Sequence, residues 1–446
     1  MTVRPQHPFT VSSRDVLAIA VPASLAFITE PLVGFVDITV IGRLGDAALL
    51  GGLVLGALLF DFLFSMAYFL RIGTAGLVAQ AIGARDPRDG QLHALRGLIV
   101  GAVIGVAMIA ASPLIGWLAT LAFAPQPGVD AALGTYFAIR IWGAPLVLMN
   151  YVLLGWFYGR AAAKTGMALQ ILLHGVNIAG CVVMVFGLHM GVAGAGYATL
   201  LGEAVATVAG LVVFARHYGG VGALWRRISP GELRDGTALR RLVGLNRDLM
   251  IRSAALMTAY AWFAAQGSRL GEVTLGANAI LLNLLMLAGY FHDGIAQAAE
   301  QLSGRAYGAN WRPAFDAAYR LSFQWGIALS AGLGVIWLVA GNALIELMTT
   351  NPEVRAMAAQ YLPVAALSAL TFIPAFVYDG ILIGLTQNAM MRNGMVASLL
   401  VFFAAVVTLQ PWLGNLGLWL ALHVWFVARG GYYGVALQRK RAGLFA

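Results

Sequence analysis

The sequence predicts an all-α polytopic membrane protein, with twelve transmembrane helices in two six-helix bundles that are parallel repeats of one another. Three observations carry this. Of 446 residues, 60% are hydrophobic and only 11% charged, at a mean hydropathy of +0.81, whereas about a quarter of a typical soluble domain is charged. No Asp, Glu, Lys or Arg occurs between Lys164 and Glu203, or between Arg392 and Arg429. Short motifs recur at one spacing across the two halves of the chain.

A helix crosses a bilayer in about 20 apolar residues. Each charge-free run is therefore two crossings, divided by turn residues at Phe186–Gly191 in the first and Gln410–Asn415 in the second. The spans must be helices or closed barrels, because unpaired backbone is costly in lipid, and these apolar stretches are too continuous for the alternation of barrel strands. Marking off the chain gives spans at 16–41, 48–81, 92–122, 131–157, 165–187, 191–215, 245–267, 273–304, 314–348, 356–383, 393–411 and 415–437. Those longer than about 25 residues are expected to tilt or to project beyond the bilayer.

Charge orients the spans. With the N-terminus placed in the cytoplasm, 21 of the 28 Lys and Arg residues fall on cytoplasmic loops and ends. Only Arg43, Arg269 and Arg355 fall outside, and Arg71, Arg140, Arg252 and Arg429 lie within spans or near their ends. This is the positive-inside pattern of a bacterial inner-membrane protein with both termini cytoplasmic. The net charge of +9 is thereby an orientation signal, and nucleic acid is not needed to explain it. The first apolar segment is a full span without a small-residue cleavage site, and is expected to be retained. The lone Cys181 can form no internal disulfide. Residues 216–244 form a basic cytoplasmic linker holding Leu224-Trp225-Arg226-Arg227-Ile228 and Leu239-Arg240-Arg241-Leu242. It suits either the lipid surface or a solvated connection, and divides the chain into bundles at 1–215 and 245–446.

The halves repeat each other. Arg43-Leu44-Gly45-Asp46-x-x-Leu49 recurs as Arg269-Leu270-Gly271-Glu272-x-x-Leu275, 226 residues on. Gly83-Ala84 matches Gly308-Ala309, and Gly155-x-x-x-Gly159 matches Gly380-x-x-x-Gly384, each at an offset of 225. An even number of spans per half makes the repeats parallel, with the default substrate site near the bilayer midplane. The Gly-x-x-x-Gly spacing lets helices approach closely inside each half.

Several stretches together resemble the multidrug and toxic compound extrusion (MATE) transporters, and more closely their DinF branch. They are Glu30-Pro31-Leu32-Val33-Gly34-Phe35-Val36-Asp37 running into Ile41-Gly42-Arg43-Leu44-Gly45, and Phe69-Leu70-Arg71-Ile72-Gly73-Thr74-Ala75-Gly76 with Gln80-Ala81. Asp293-Gly294 with Ala299-Glu300, and Tyr378-Asp379-Gly380 with Met391-Arg392-Asn393, complete the set. The resemblance implies export of lipophilic, often cationic, organic compounds in exchange for protons or sodium ions, with no cofactor beyond the coupling ion. It implies that Asp37 is the coupling aspartate and that its protonation bends the first helix, where Pro22 and Pro31 each remove a backbone hydrogen bond. It also implies an ion site joining Asp37 to an Asn and an Asp on the fifth helix and a Thr on the sixth. Asn177 and Thr199 fit, but the Asp position is Cys181. Sodium prefers hard oxygen ligands to sulfur, so proton coupling is the expectation.

An intramembrane carboxylate is costly unless solvated, paired or protonated, and so is a functional candidate by default. Besides Asp37, the chain offers Glu30, Asp61, Glu203, Asp293, Glu300 and Asp379. Asp293, Glu300 and Asp379 could attract a cationic substrate, carry a second proton, or pair with Arg252 or Arg71 structurally. His174, one turn before Asn177, is either a proton relay, since imidazole titrates near pH ~6.5, or a packing residue. Methionine and aromatic side chains suit promiscuous cation binding; Met184, Tyr151, Tyr260 and Met286 are the candidates, beside Asp37.

Enzymatic motifs are lacking: there is no His-Glu-x-x-His, Walker loop or Gly-x-Ser-x-Gly, and no metal site is expected. Gly191–Gly196 opens a membrane helix and reads as packing. The competing reading is a flippase for a lipid-linked precursor, which predicts a lumen rich in arginine. The expected partners are the bilayer and small organic substrates, for a protein acting as a monomer.

Overall fold

The computed structural model describes residues 5–220, 222 and 236–445. The Leu224–Ile228 segment and the side chains of Leu239–Leu242 lie outside that description. The described residues form fifteen α-helices and no strand, grouped into the twelve expected spans.

The first span is α1 (Ser13–Gly42). The second is broken into α2 (Ala47–Ser65) and α3 (Phe69–Gly83), the third into α4 (Pro87–Ala110) and α5 (Ser112–Phe123). The fourth is α6 (Pro127–Arg140) and α7 (Ala144–Gly159), joined by a 3-10 turn at Ile141–Gly143. The fifth is α8 (Ala163–Val182), ending in a π turn at Val183–Gly187, and the sixth is α9 (Gly191–His217). The second half is six unbroken helices: α10 (Gly236–Arg269), α11 (Glu272–Gly308), α12 (Arg312–Met348), α13 (Pro352–Gly384), α14 (Asn388–Leu413) and α15 (Asn415–Leu444).

Among the described residues, ten spans are long and apolar enough to cross a membrane by length and composition alone. The other two, α10 and α15, carry Arg252 and Arg429 within their apolar stretches. Outward-facing apolar side chains such as Trp412, Leu347 and Val339 are more than four-fifths exposed, as a lipid-facing surface requires and a water-facing one would not tolerate in such number.

The repeated motifs have physical roles. Gly45 and Gly271 take positive φ, +76° and +111°, which L side chains avoid. Asp46 then caps α2, its carboxylate accepting from the backbone N–H of Ala48 at 2.8 Å and of Leu49 at 3.3 Å. A Cβ on Gly155 or Gly159 would strike the carbonyls of Arg71 and Ala75, and one on Gly380 or Gly384 would strike those of Ala296 and Glu300. Arg71 and Ala296 are themselves 225 residues apart, as are Ala75 and Glu300, so the repeated glycines make equivalent contacts in the two halves.

The chain forms two compact units, one of residues 25–78 and 86–242, the other of 1–24, 79–85 and 243–446. They depart from the division at the linker by two pieces. The end of α3 joins the second unit because Gly83 lies against the backbone of Arg305 and Gly308 against that of Gln80, while Gln80 Nε2 donates to the Gly384 carbonyl at 2.7 Å. Helix α1 is continuous through both prolines and is divided between the units at Ser24 and Leu25, so Pro22 belongs to one unit and Pro31 to the other.

The breaks in the first unit have local causes. Pro145 has no N–H to give back to Ile141, which ends α6 and starts α7. Between α2 and α3 the backbone tightens to i→i−3 bonds, Ala67 to Phe64, Tyr68 to Ser65 and Leu70 to Ala67, with neither proline nor glycine to announce it.

Candidate functional site

The unit of residues 25–78 and 86–242 gathers the polar side chains of five spans. Helix α8 brings Asn177 and Cys181 one turn apart; α9 brings Thr199 and Glu203 likewise. The two helices approach closely because a Cβ on Gly202 would lie 2.7 Å from the Leu173 carbonyl and 3.3 Å from Asn177 Cβ. Asn177 Nδ2 thereby donates to Thr199 Oγ1 at 2.8 Å, and that hydroxyl donates to the Ala195 carbonyl at 3.0 Å. Asp37 of α1 is buried, and the Cys181 thiol hydrogen-bonds to its carboxylate. Four of the expected coupling residues are thus placed as two hydrogen-bonded pairs that α8 links, one turn apart. His174 is also buried, but neither ring nitrogen has a hydrogen-bond partner among the described residues, so no hydrogen bond joins it to the site.

Sequence reasoning missed a fifth member. Arg140, at the broken end of α6, places its guanidinium in electrostatic reach of Asp37, Glu203 and Asp61 and hydrogen-bonds Tyr136. It lies over the rings of Phe60 and Phe64, 5.3 and 5.7 Å from their centroids. Its cost in lipid is a signal equal to that of any intramembrane acid, yet in the loop-charge count it is only set aside as lying within a span or near its end. Glu203 is held on its other side by Asn150, whose Nδ2 donates to Oε2 at 2.7 Å and to the Glu203 carbonyl at 3.2 Å. Thr207 Oγ1 donates to the same carbonyl at 2.7 Å.

Hard oxygen donors are few here. Asp37 Oδ1 and Asn177 Oδ1 make no hydrogen bond and Thr199 Oγ1 accepts from Asn177 Nδ2, but the next ligand along α8 is sulfur and a guanidinium stands beside the carboxylates. Among the described residues, no group of three or more His, Cys, Asp or Glu side chains is placed to hold a metal ion.

Glu30 and Asp61 are exposed in the same unit. Glu30 faces Arg71. Tyr151 stands near both, its ring edge-on to Tyr68 at 5.4 Å. Met184 lies in the π turn, packed on Gly194 of α9.

The other unit treats its charges differently. Asp379 of α13 accepts from Arg252 Nη2 of α10 at 2.6 Å and from Arg429 Nη2 of α15 through the same oxygen, Oδ2. All three side chains are largely buried, 7%, 17% and 2% exposed respectively. Asp293 is exposed and in electrostatic reach of Arg252, whereas Glu300, two turns further along α11, is buried. Tyr260 stacks edge-on against Trp425 at 5.7 Å, and Met286 is half exposed. Both lie in this second unit, whereas the acid cluster belongs to the first.

The chain matches the MatE family model twice, over residues 22–183 and 249–409, one match for each half of the repeat. It is 35% identical to the DNA damage-inducible protein F of Escherichia coli over 430 residues, 94% of this chain and 91% of that one. It is 27% identical to the probable multidrug resistance protein NorM of Bradyrhizobium diazoefficiens, over 84% of this chain and 80% of that one. A MOP superfamily transporter from Pyrococcus furiosus shares the fold at a TM-score of 0.85 and 18% identity, over 98% of this chain and 99% of the other. By its twofold family match and its near full-length relative, the chain belongs to the MatE family of multi-pass membrane transporters, the multidrug and toxic compound extrusion proteins.

Proposed function

We propose that this transporter is a proton-coupled multidrug antiporter of the bacterial inner membrane, exporting lipophilic and cationic organic compounds, with Asp37 as the protonated group. The observation that carries the reading is the cluster of buried Asp37, Cys181 and Glu203 with half-buried Arg140 inside one bundle. It joins a carboxylate that can exchange a proton to a permanent cation that responds to its charge. A proton arriving on Asp37 removes one of the charges that hold Arg140, leaving the guanidinium to Glu203 and Asp61. The loss of that attraction changes the force on α1, the helix that carries Asp37 and has Pro22 and Pro31 on either side of its division between the two units. Release of the proton on the other face of the membrane restores the starting arrangement.

Sodium is disfavoured on two counts. A thiol offers soft sulfur where a hard cation wants oxygen, and a second monovalent cation beside Arg140 would meet like-charge repulsion in a medium of low dielectric. Alternating access in a monomer, with both termini cytoplasmic as the loop charges indicate, completes the proposal.

The test uses purified protein in liposomes. Efflux of a fluorescent lipophilic cation is followed under a pH gradient alone, then under a sodium gradient alone, for wild type and Asp37→Asn. Export driven by pH only, and abolished in the variant, is expected. Sodium-driven export would overturn the choice of ion, and no export under either gradient would sink the efflux reading and bring the lipid-linked flippase forward.

A further inference from the structure

Arg71 is the second intramembrane arginine of the first unit, and it is held unlike Arg140. Its guanidinium carbon lies 4.4 Å from the ring centroid of Tyr68, 4.8 Å from that of Phe27 and 5.7 Å from that of Tyr158. Phe27 and Tyr158 close on each other at 6.2 Å, and the carboxylate of Glu30 is in electrostatic reach of the same arginine. Three aromatic faces around one positive charge, with a carboxylate at the edge, is the chemistry by which proteins bind organic cations. Here the cation in the box belongs to the chain.

We propose that the box of Phe27, Tyr68 and Tyr158 is a recognition subsite for the planar cationic head of a substrate, an amidinium, guanidinium or aromatic ammonium, and that Arg71 is its tethered competitor. The proposal rests on the efflux reading for the class of compound, and names the place where that compound is held.

Geometry separates what can move from what cannot. The Arg71 carbonyl lies against Gly155 of α7, where a Cβ would not fit, so the backbone is pinned and the side chain alone can leave. It has a partner to leave with, because Glu30 is exposed while Phe27 and Tyr158 are buried. A guanidinium that swings out on Glu30 vacates the box without losing its counter-charge. Glu30 and Asp37 lie seven residues apart on α1, two turns along one face. The box is therefore mounted on the helix that carries the coupling carboxylate, so a movement of α1 on protonation also shifts Phe27 and Glu30 against Tyr68.

A tethered competitor makes a distinctive prediction: its removal tightens binding. The experiment measures equilibrium binding of 4-aminobenzamidine, a fluorescent planar amidinium, to purified full-length protein in detergent. Arg71→Ala is expected to bind it about tenfold more tightly than wild type, the scale of a desolvated cation–aromatic contact. Adding Tyr68→Leu should return the affinity to the wild-type level. Arg71→Lys, which keeps a cation in the box, should remain as weak as wild type. Arg71→Met keeps the apolar stem and removes the charge; it should tighten in the same direction if Arg71→Ala does not fold. Unchanged or weaker binding in the charge-removed variants would overturn the proposal, as would tightening that survives Tyr68→Leu. Those outcomes would make Arg71 a structural counter-ion and leave proton-driven export by wild type standing, because that is read separately in liposomes.

Discussion

Replacing Asp379 by asparagine tests the charge accounting of the second unit. In the wild-type protein one carboxylate oxygen takes hydrogen bonds from Arg252 and Arg429, and Arg429 is 2% exposed. The amide of Asp379→Asn can still accept a hydrogen bond, but Arg429 then loses the carboxylate that pairs it, while Arg252 keeps Asp293, which is exposed, in electrostatic reach. Breaking a buried ion pair by removing one partner costs about 3–5 kcal/mol, because the other charge is left uncompensated. Arg429→Met differs in kind: it removes one cation and leaves Asp379 paired with Arg252. Its cost is a lost charged hydrogen bond, about 1.5–3 kcal/mol, partly offset because Met carries no charge to desolvate. Asp379→Asn should therefore be the more harmful of the two by about 2 kcal/mol. The assay is thermal unfolding in detergent, followed by tryptophan fluorescence, since Trp419 and Trp425 are fully buried in the same unit. The expected order of midpoints is wild type, then Arg429→Met, then Asp379→Asn, with the double variant above Asp379→Asn alone. An Asp379→Asn protein that melts with or above Arg429→Met would refute the reasoning and would mean that water or Asp293 already compensates the arginines.

Three further outcomes follow from the same structure. Gly380→Ala forces a Cβ into the Ala296 carbonyl and should cost about 1–3 kcal/mol, read as a lowered melting midpoint, whereas Gly289→Ala, with nothing within 4 Å, should be neutral. Asn278→Leu removes the amide that exchanges hydrogen bonds with Asn415 at 2.7 and 3.0 Å and accepts from Trp419 Nε1 at 2.9 Å. With intramembrane bonds worth about 0.6 kcal/mol each on average, a loss of about 1–2 kcal/mol is expected in the same assay. Cys181→Asp puts a hard ligand beside Asp37 and should give sodium-driven export above the wild-type level in liposomes, and no gain would show that Arg140 alone is enough to keep sodium out.

Much of this architecture was legible because lipid makes simple demands. Charge-free runs gave the spans, and the repeated glycines at 155, 159, 380 and 384 marked close approaches that the structure shows at equivalent carbonyls. Cys181 was readable as a neighbour of Asp37 only through the family resemblance, because helical spacing joins it to Asn177 but not to α1. The break at Met66–Tyr68 was not legible, since no proline or glycine stands there. Nor was the pairing of Asp379. The cost of each intramembrane charge is local and visible in sequence, but its partner is 127 residues away in one direction and 50 in the other. For the same reason Arg140 and Arg71 were seen as exceptions to the loop count and not as members of sites.

The two units share one scaffold and solve the problem of charge in opposite ways, which says where motion belongs. In the second half the helices run unbroken even through Pro363, Pro374 and Pro411, and Asp379 is satisfied by side chains. Two arginines do so from two neighbouring helices, and the result ties α10, α13 and α15 together. In the first unit α2 and α6 stop short inside their spans, and each stop lies next to an arginine whose partners are not fixed: Arg71 among three rings and Glu30, Arg140 among three acids. Where one cation has several partners of similar worth, removing or adding a single proton is enough to change which it keeps. The proposed coupling chemistry therefore belongs to the first unit.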